Sequence, residues 1–266
     1  MPKIKVNDIE LYYEEFGKGE PLILVSGFAA DHYPWNIVTH RFAKQFRVIT
    51  FDNRGIGQSS CPDQLYTIDM FTDDVVGLCN QLGIESAHFI GNSMGGMIVQ
   101  NLAYKYPKLV KTATISNSYA KANMRARLQA EVNLALLEQN APAEIAIKNV
   151  LPWLYSRDFL SNEEMYEGIM EAFKYNPHPI TAQGYRGQLN ALLTFDATAW
   201  LDKITRPCFV IYADDDLFVM LDEANFLIKK IPNCASYCFQ RIGHLPHIEQ
   251  PEVFVAKVQD FICRLS

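Results

Sequence analysis

The sequence predicts an α/β protein: a mostly parallel central sheet flanked by helices, with an all-helical segment inserted between two strands of the sheet. Three observations carry that expectation. Short apolar runs such as Leu22-Ile23-Leu24-Val25 and Val48-Ile49-Thr50-Phe51 read as strands buried on both faces. They alternate with stretches of helical spacing, as parallel strand crossovers require. From about Tyr119 to Trp200 the strand pattern stops and only helical periodicity remains.

Taken in order, Lys3 to Val6 and Ile9 to Phe16 alternate in polarity around Asn7-Asp8 and predict a hairpin. The strand Leu22 to Val25 ends in the small-residue loop Ser26-Gly27-Phe28-Ala29-Ala30, which can bring backbone N–H groups close to a ligand. Pro34 to Phe46 reads as a helix and Val48 to Phe51 as the next strand. The turn that follows, Asp52 to Ser59, has a G-x-G spacing, but it lacks the third glycine and opens no helix, which argues against a dinucleotide loop. Asp52 and Arg54 are expected to pair locally there. Asp69 to Leu82 is a helix stopped by Gly83, Ala87 to Ile90 a strand, Gly96 to Tyr106 a helix stopped by Pro107, and Val110 to Ile115 a strand.

Four helices are expected in the insertion: Lys121 to Gln139, one opened by Pro142, one opened by a capping box at Ser161-Asn162-Glu163-Glu164, and Ile180 to Phe195. Its large side chains, including Trp153, Tyr155, Phe159, Phe173, Tyr185 and Phe195, are expected to form mainly its own core. Cys208 to Tyr212 resumes the sheet. Leu221 to Lys230 is a helix, Ala235 to Phe239 a strand, and Pro251 to Leu265 a closing amphipathic helix. The expected division is therefore a core made of residues 1–118 and 201–266 and a lid of residues 119–200.

Between the third of these parallel strands and its helix stands Gly91-Asn92-Ser93-Met94-Gly95. The pattern G-x-S-x-G arises by chance in roughly one chain in ten of this size, so context must decide. Here the serine sits on a sharp strand-to-helix turn, which forces it into a strained conformation and lifts its hydroxyl above the sheet. The helix beginning at Met94 also aims free N–H groups and its positive dipole end at the same spot. Open parallel sheets gather their chemistry at the carboxyl ends of strands. The loop at Ser26-Gly27-Phe28, the run Ala213-Asp214-Asp215-Asp216 and the loop Arg241-Ile242-Gly243-His244 all fall there. A serine hydroxyl becomes a useful nucleophile only when a base of near-neutral pKa takes its proton, so the histidine matters as much as the serine.

Together these residues resemble the α/β-hydrolase family of the lidded type, most of all the 3-oxoadipate enol-lactonases and related ester and lactone hydrolases. The resemblance spans nearly the whole chain. It rests on Ser26-Gly27-Phe28, on Asp52-x-Arg54-Gly55-x-Gly57-x-Ser59, on Gly91 to Gly96, and on Gly243-His244 followed by Glu249, Pro251 and Phe254. It implies Ser93, Asp216 and His244 as catalytic residues, and the N–H groups of Phe28 and Met94 as the oxyanion hole. Two departures matter. Ser26 stands where the family often has histidine, and Ala213 where it often has glycine, so Asp214 and Asp215 remain rivals for the acid; Asp216 is favoured. His247 rivals His244, whose preceding glycine lets the loop reach over the sheet. His32, His40, His88 and His178 are expected to be surface or packing residues. Some relatives carry the acid after the strand that follows the elbow helix, but here that position is Ser116-Asn117.

The implied function is a serine hydrolase that cleaves an ester or lactone of a small, largely apolar substrate through an acyl-enzyme, with no cofactor and no metal. Phe28, Trp153, Phe218 and Leu245 are the expected pocket walls. Carbon–carbon bond hydrolases and cofactor-free perhydrolases share the same residues, although the former tend to have tryptophan where this chain has Leu245. From another class, some lidded relatives are small-molecule receptors. A dehalogenase would need an aspartate at position 93.

Composition narrows the remaining classes. Apolar residues are 49% and charged residues 20% of 266, an ordinary globular balance that permits a substantial core. A net charge of −6 argues against nucleic-acid and anionic-membrane surfaces. No apolar run has the length of a membrane span, and MPKIKVNDIELYY reads as a strand pattern rather than a secretory signal, so a cytoplasmic location is expected. The six cysteines lack C-x-x-C spacing and are expected to be reduced packing residues. Oligomeric state is left open.

Overall fold

A computed structural model describes residues 3–265 of the chain. Among them, eight strands form one sheet in the order β1-β2-β4-β3-β5-β6-β7-β8. The strands are β1 (Lys3–Val6), β2 (Ile9–Phe16), β3 (Glu20–Val25), β4 (Phe46–Phe51), β5 (Ala87–Asn92), β6 (Val110–Ser116), β7 (Cys208–Ala213) and β8 (Cys234–Phe239). The β1–β2 hairpin turns at Asn7, whose φ is +47°, and β2 joins β4 antiparallel; every other pairing is parallel.

Strand periodicity explains the two-sided core. In β3, Leu22 and Leu24 face one layer while Ile23 and Val25 face the other, and all four are fully buried. One layer contains α1 (Asn36–Phe42) and α11 (Pro251–Cys263). The opposite layer contains α2 (Ile68–Gln81), α3 (Met94–Lys105) and α9 (Leu221–Lys230). The α2 helix starts on Thr67, whose side chain accepts a hydrogen bond from the Met70 N–H.

Between β6 and β7 stand α4 (Met124–Glu138), α5 (Ala143–Leu154), α6 (Arg157–Leu160), α7 (Glu163–Lys174) and α8 (Ala182–Thr194). The chain leaves the sheet and returns to it side by side. Lys121 and Asp196 form an isolated antiparallel bridge and an ion pair, and Ala197 N donates to Ala120 O at 2.9 Å. A four-residue helix, α10 (Pro246–Glu249), precedes α11.

Several expectations shift. The helix expected to run to Phe46 stops at Phe42, because Phe46 pairs with Glu20 in the sheet and is buried; strand pairing outweighs local helical spacing. The expected capping box at Ser161 does not form. Asn162 is the N-cap, its side chain accepting from Met165 N, while the Ser161 hydroxyl donates back to Arg157 O of α6, a helix not expected from the sequence. Asp52 and Arg54 do not pair with each other. Arg54 is buried and makes a two-pronged contact with Asp74 at 2.6 and 2.7 Å, and Asp52 accepts from His32. Phe173 is exposed rather than part of a lid core. All six cysteines are free thiols, with Cys79 and Cys208 buried and Cys263 exposed. No helix among the described residues is long and apolar enough to cross a membrane.

Candidate active site

Ser93 lies between the last residue of β5 and the first of α3 with φ +55° and ψ −120°, a conformation that costs a non-glycine residue of order 1–3 kcal/mol. Its neighbours allow the bend. A Cβ on Gly91 would meet the Gly95 carbonyl oxygen at 2.1 Å, and one on Gly95 would meet the Val25 carbonyl oxygen at 2.1 Å. Only glycine lets the three backbones pass so closely. Ser93 itself is partly exposed, while Asn92 and Met94 on either side are buried.

Asp216 follows β7 and is buried, with four hydrogen bonds on its two oxygens. Oδ1 accepts from Phe218 N at 2.8 Å and Val219 N at 3.0 Å; Oδ2 accepts from Asn117 Nδ2 at 2.8 Å and lies 2.8 Å from His244 Nδ1. Asp214 is exposed and accepts from Arg241 N, and Asp215 accepts from Arg157 N at 3.2 Å. Of the three aspartates, only Asp216 touches a histidine ring.

His244 sits on the loop after β8. Asn92, immediately before Ser93, donates through Nδ2 to the His244 carbonyl at 3.2 Å, which brings the histidine loop to the elbow. His247 takes a different place. It is buried, stacked on Trp35 with ring centroids 4.3 Å apart, and burial together with the neighbouring His244 pushes its pKa down to about 3. A ring that stays neutral against a tryptophan is packing.

The amides of Phe28 and Met94 donate no hydrogen bond to any described residue. Met94 opens α3, so its N–H is one of the helix's orphan donors. In the loop after β3, Ser26 Oγ donates to Asp31 O at 2.8 Å, a support within the loop at the position where relatives often have histidine.

Of the four expected pocket walls, Phe218 stands edge-on to His244 at 5.0 Å and against Trp153 at 5.3 Å, while Phe28 meets Tyr185 of α8 at 4.5 Å. Leu245 packs against the insertion's own apolar cluster of Ile147, Leu151 and Tyr155.

Sequence reasoning named several further residues without the partners the structure gives them. Asn117, fully buried with φ +46°, caps β6 between the strands bearing Ser93 and Asp216 and hydrogen-bonds the same Asp216 oxygen as His244. Its position was legible, but its partner was not. Glu249 accepts from Gly243 N at 3.0 Å and from Ser156 N at 3.0 Å and its hydroxyl, so the histidine loop is tied to the start of α6; burial pushes its carboxyl above the ordinary range. His244 N donates to Leu154 O at 2.9 Å, a second tie between the loop and the insertion. His32 is neither exposed nor simply packed. Burial opposes its charge, but Asp52 at 2.6 Å and Glu14 raise its pKa above the usual value. Among the described residues, no group of three or more His, Cys, Asp or Glu side chains is arranged to hold a metal ion.

A strand-to-helix elbow bearing serine, an aspartate and a histidine in that chain order, and an eight-stranded sheet with an insertion after β6 agree with one family model. Residues 20–251 match the α/β hydrolase fold. The chain belongs to the α/β-hydrolase fold family. It is similar over 245 residues to 3-oxoadipate enol-lactonase 1 of Acinetobacter baylyi, at 27% identity, covering 91% of this chain and 88% of that protein. It is 28% identical over 257 residues to a Caulobacter sp. (strain K31) protein provisionally named carbamate hydrolase RutD, covering 95% of each. Among solved structures, the enol-lactonase from Burkholderia xenovorans LB400 superposes with a TM-score of 0.85 at 25% identity, over 98% of this chain and 100% of that one. With its family and these relatives, the chain is a hydrolase.

Proposed function

We propose that this hydrolase cleaves an ester or lactone of a small, largely apolar substrate through an acyl-enzyme on Ser93. The observation that carries the reading is the 2.8 Å contact of His244 Nδ1 with the buried, four-fold bonded Asp216, on a loop whose His244 carbonyl is held by Asn92, the residue next to a serine at φ +55°. Asp216 accepts from the Nδ1–H of His244, so Nε2 is left unprotonated as the base. As Ser93 Oγ bonds to the substrate carbonyl carbon, its proton passes to Nε2 and the carbonyl oxygen becomes an oxyanion facing the Phe28 and Met94 amides. Each such donor is worth about 3 kcal/mol in comparable sites. The tetrahedral intermediate collapses, the carbon–oxygen bond to the leaving group breaks, and His244 returns the proton to the departing oxygen. For a lactone the leaving oxygen stays on the same molecule. Water, deprotonated by His244, then attacks the acyl-enzyme and releases the acid and Ser93.

The ester or lactone bond is supported by the enol-lactonase relatives. An apolar substrate body is supported by the Phe218 ring against His244 with Trp153 behind it, and by the Phe28 ring packed on Tyr185.

The test is turnover of a panel of aryl esters, lactones and vinylogous diketones by the wild type and by Ser93→Ala. The expected loss in kcat for Ser93→Ala on its best substrate is at least about 10⁴-fold. Retained turnover in that variant would end the proposal, and a substrate preference for the diketones would move it to carbon–carbon cleavage.

A further inference from the structure

The loop that presents the Phe28 amide is gripped by the insertion at three of its residues, Phe28, Ala29 and Asp31. The Phe28 ring lies 4.5 Å from that of Tyr185 on α8. Ala29, held at φ +57°, donates its N–H to Oε1 of Gln188, also on α8, at 2.9 Å. Asp31 accepts from Asn176, between α7 and α8, at 2.9 Å. Gln188 is fully buried, and its amide is used at both ends: Nε2 donates to the Arg54 carbonyl at 2.8 Å. One side chain thus clamps the loop after β3 to the turn after β4, with its amide orientation set by one donor and one acceptor.

We infer that Gln188 is a positioning residue for the oxyanion hole: through Ala29 N it sets where the neighbouring Phe28 N–H points, so the lid shapes the reacting end of the site as well as covering it. The inference rests on the acyl-enzyme reading above. Its physical basis is that a misplacement of about 1 Å in a catalytic donor can lower the rate about 100-fold. A left-handed alanine is a conformation the loop keeps only under restraint, and Gln188 supplies that restraint from α8 of the insertion.

Two neighbours on α8 provide a control. Gln183 Nε2 donates to Cys61 O at 2.9 Å and Asn190 Nδ2 to Tyr66 O at 2.9 Å, so both also tie the helix to the sheet domain, but neither reaches the loop carrying Phe28. A role in lid docking alone would make the three amides equivalent.

The experiment compares the wild type with Gln188→Met, Gln188→Glu, Asn176→Ala and Gln183→Ala, with Ser93→Ala as the reference for the chemistry. It measures kcat and KM per titrated active site, thermal stability, and inhibition by an aryl trifluoromethyl ketone, whose adduct with serine carries an oxyanion. Gln188→Met should lower kcat about 10- to 100-fold with KM changed less than about 3-fold, and should weaken the ketone by the same factor as kcat/KM. Gln188→Glu, which keeps the acceptor for Ala29 N, should fall between it and the wild type. Asn176→Ala, at a partly exposed site, should show a smaller loss of the same kind, and Gln183→Ala should leave kcat unchanged. Were Gln188→Met to fold and turn over at the wild-type rate per active site, or were Gln183→Ala to lose as much, the positioning role would be overturned. If Ser93→Ala kept its turnover, the acyl-enzyme reading itself would fail; if only the Gln188 variants stayed active, that reading would stand and this inference would not.

Discussion

In β3, Leu22, Ile23, Leu24 and Val25 are all fully buried, whereas α7 of the insertion has no buried residue and Phe173 on it faces solvent. The apolar cluster proper to the insertion centres on Ile147, Leu151 and Tyr155. The sheet has apolar layers on both faces, with Phe42, Phe71, Phe89 and Phe254 fully buried among them. The insertion is fastened to the sheet domain by Tyr185, Leu189 and Leu192 of α8, which join the buried layer on one face of the sheet, and by polar ties: Gln188 to Ala29 and Arg54, Glu249 between Gly243 and Ser156, and His244 N to Leu154 O. The difference teaches where rigidity and adaptability were placed. Apolar burial stabilises the strand ends that carry Ser93, Asp216 and His244, while directional hydrogen bonds align a looser helical cover over them.

That contrast can be broken by mutation, and the largest expected effect is in the core. Phe71→Ala should destabilise the protein by about 3–5 kcal/mol in urea unfolding, because it opens a cavity that the surrounding layer cannot fill. Ile169→Ala, on the partly buried face of α7, should cost about 1 kcal/mol or less. Equal losses at the two positions would erase the distinction.

A second effect is tied to pH. His247 in the native protein has its pKa depressed to about 3, against an unfolded value near 6.5, so the unfolded chain binds the proton first. Its contribution is complete above pH 6.5 and is lost as pH falls from there toward 3, at roughly 1 kcal/mol per pH unit. His247→Phe, which keeps a ring against Trp35, should flatten the acid limb of a stability–pH curve in that window. An unchanged limb would mean that this ring does not resist protonation.

The smallest effect sharpens the comparison at the elbow itself. Ser93→Gly should remove turnover and yet raise stability by about 1 kcal/mol, since glycine adopts φ +55° without strain but is more flexible when unfolded. A loss of stability on chemical unfolding would show that the elbow stores no strain.

Much of the fold was legible because strands and helices of the sheet domain announce themselves by local periodicity. The helix Leu221–Lys230 has the expected bounds, and the elbow between β5 and α3 falls where glycine spacing located it. Phe46 was misread because pairing with Glu20, 26 positions earlier in the chain, decides its conformation. The same cause hid the partners of Arg54: its nearest acid in sequence is Asp52, yet Asp74 of α2 holds it.

By itself the sequence marked the groups on which the proposed chemistry rests: an alcohol on a sharp turn, acids at a strand end and a histidine on a glycine-preceded loop, each written in a few adjacent residues. It also marked where strands cease and helices take over, since periodicity is a local property. Only the tertiary structure decided that Asp216 rather than Asp214 or Asp215 meets the His244 ring, that His247 is buried against Trp35, and that Asn117 bonds Asp216 while Gln188 bonds Ala29. Those outcomes depend on hydrogen bonds between residues as far apart in the chain as Ala29 and Gln188, and such directional contacts exist only once packing has brought the elements together.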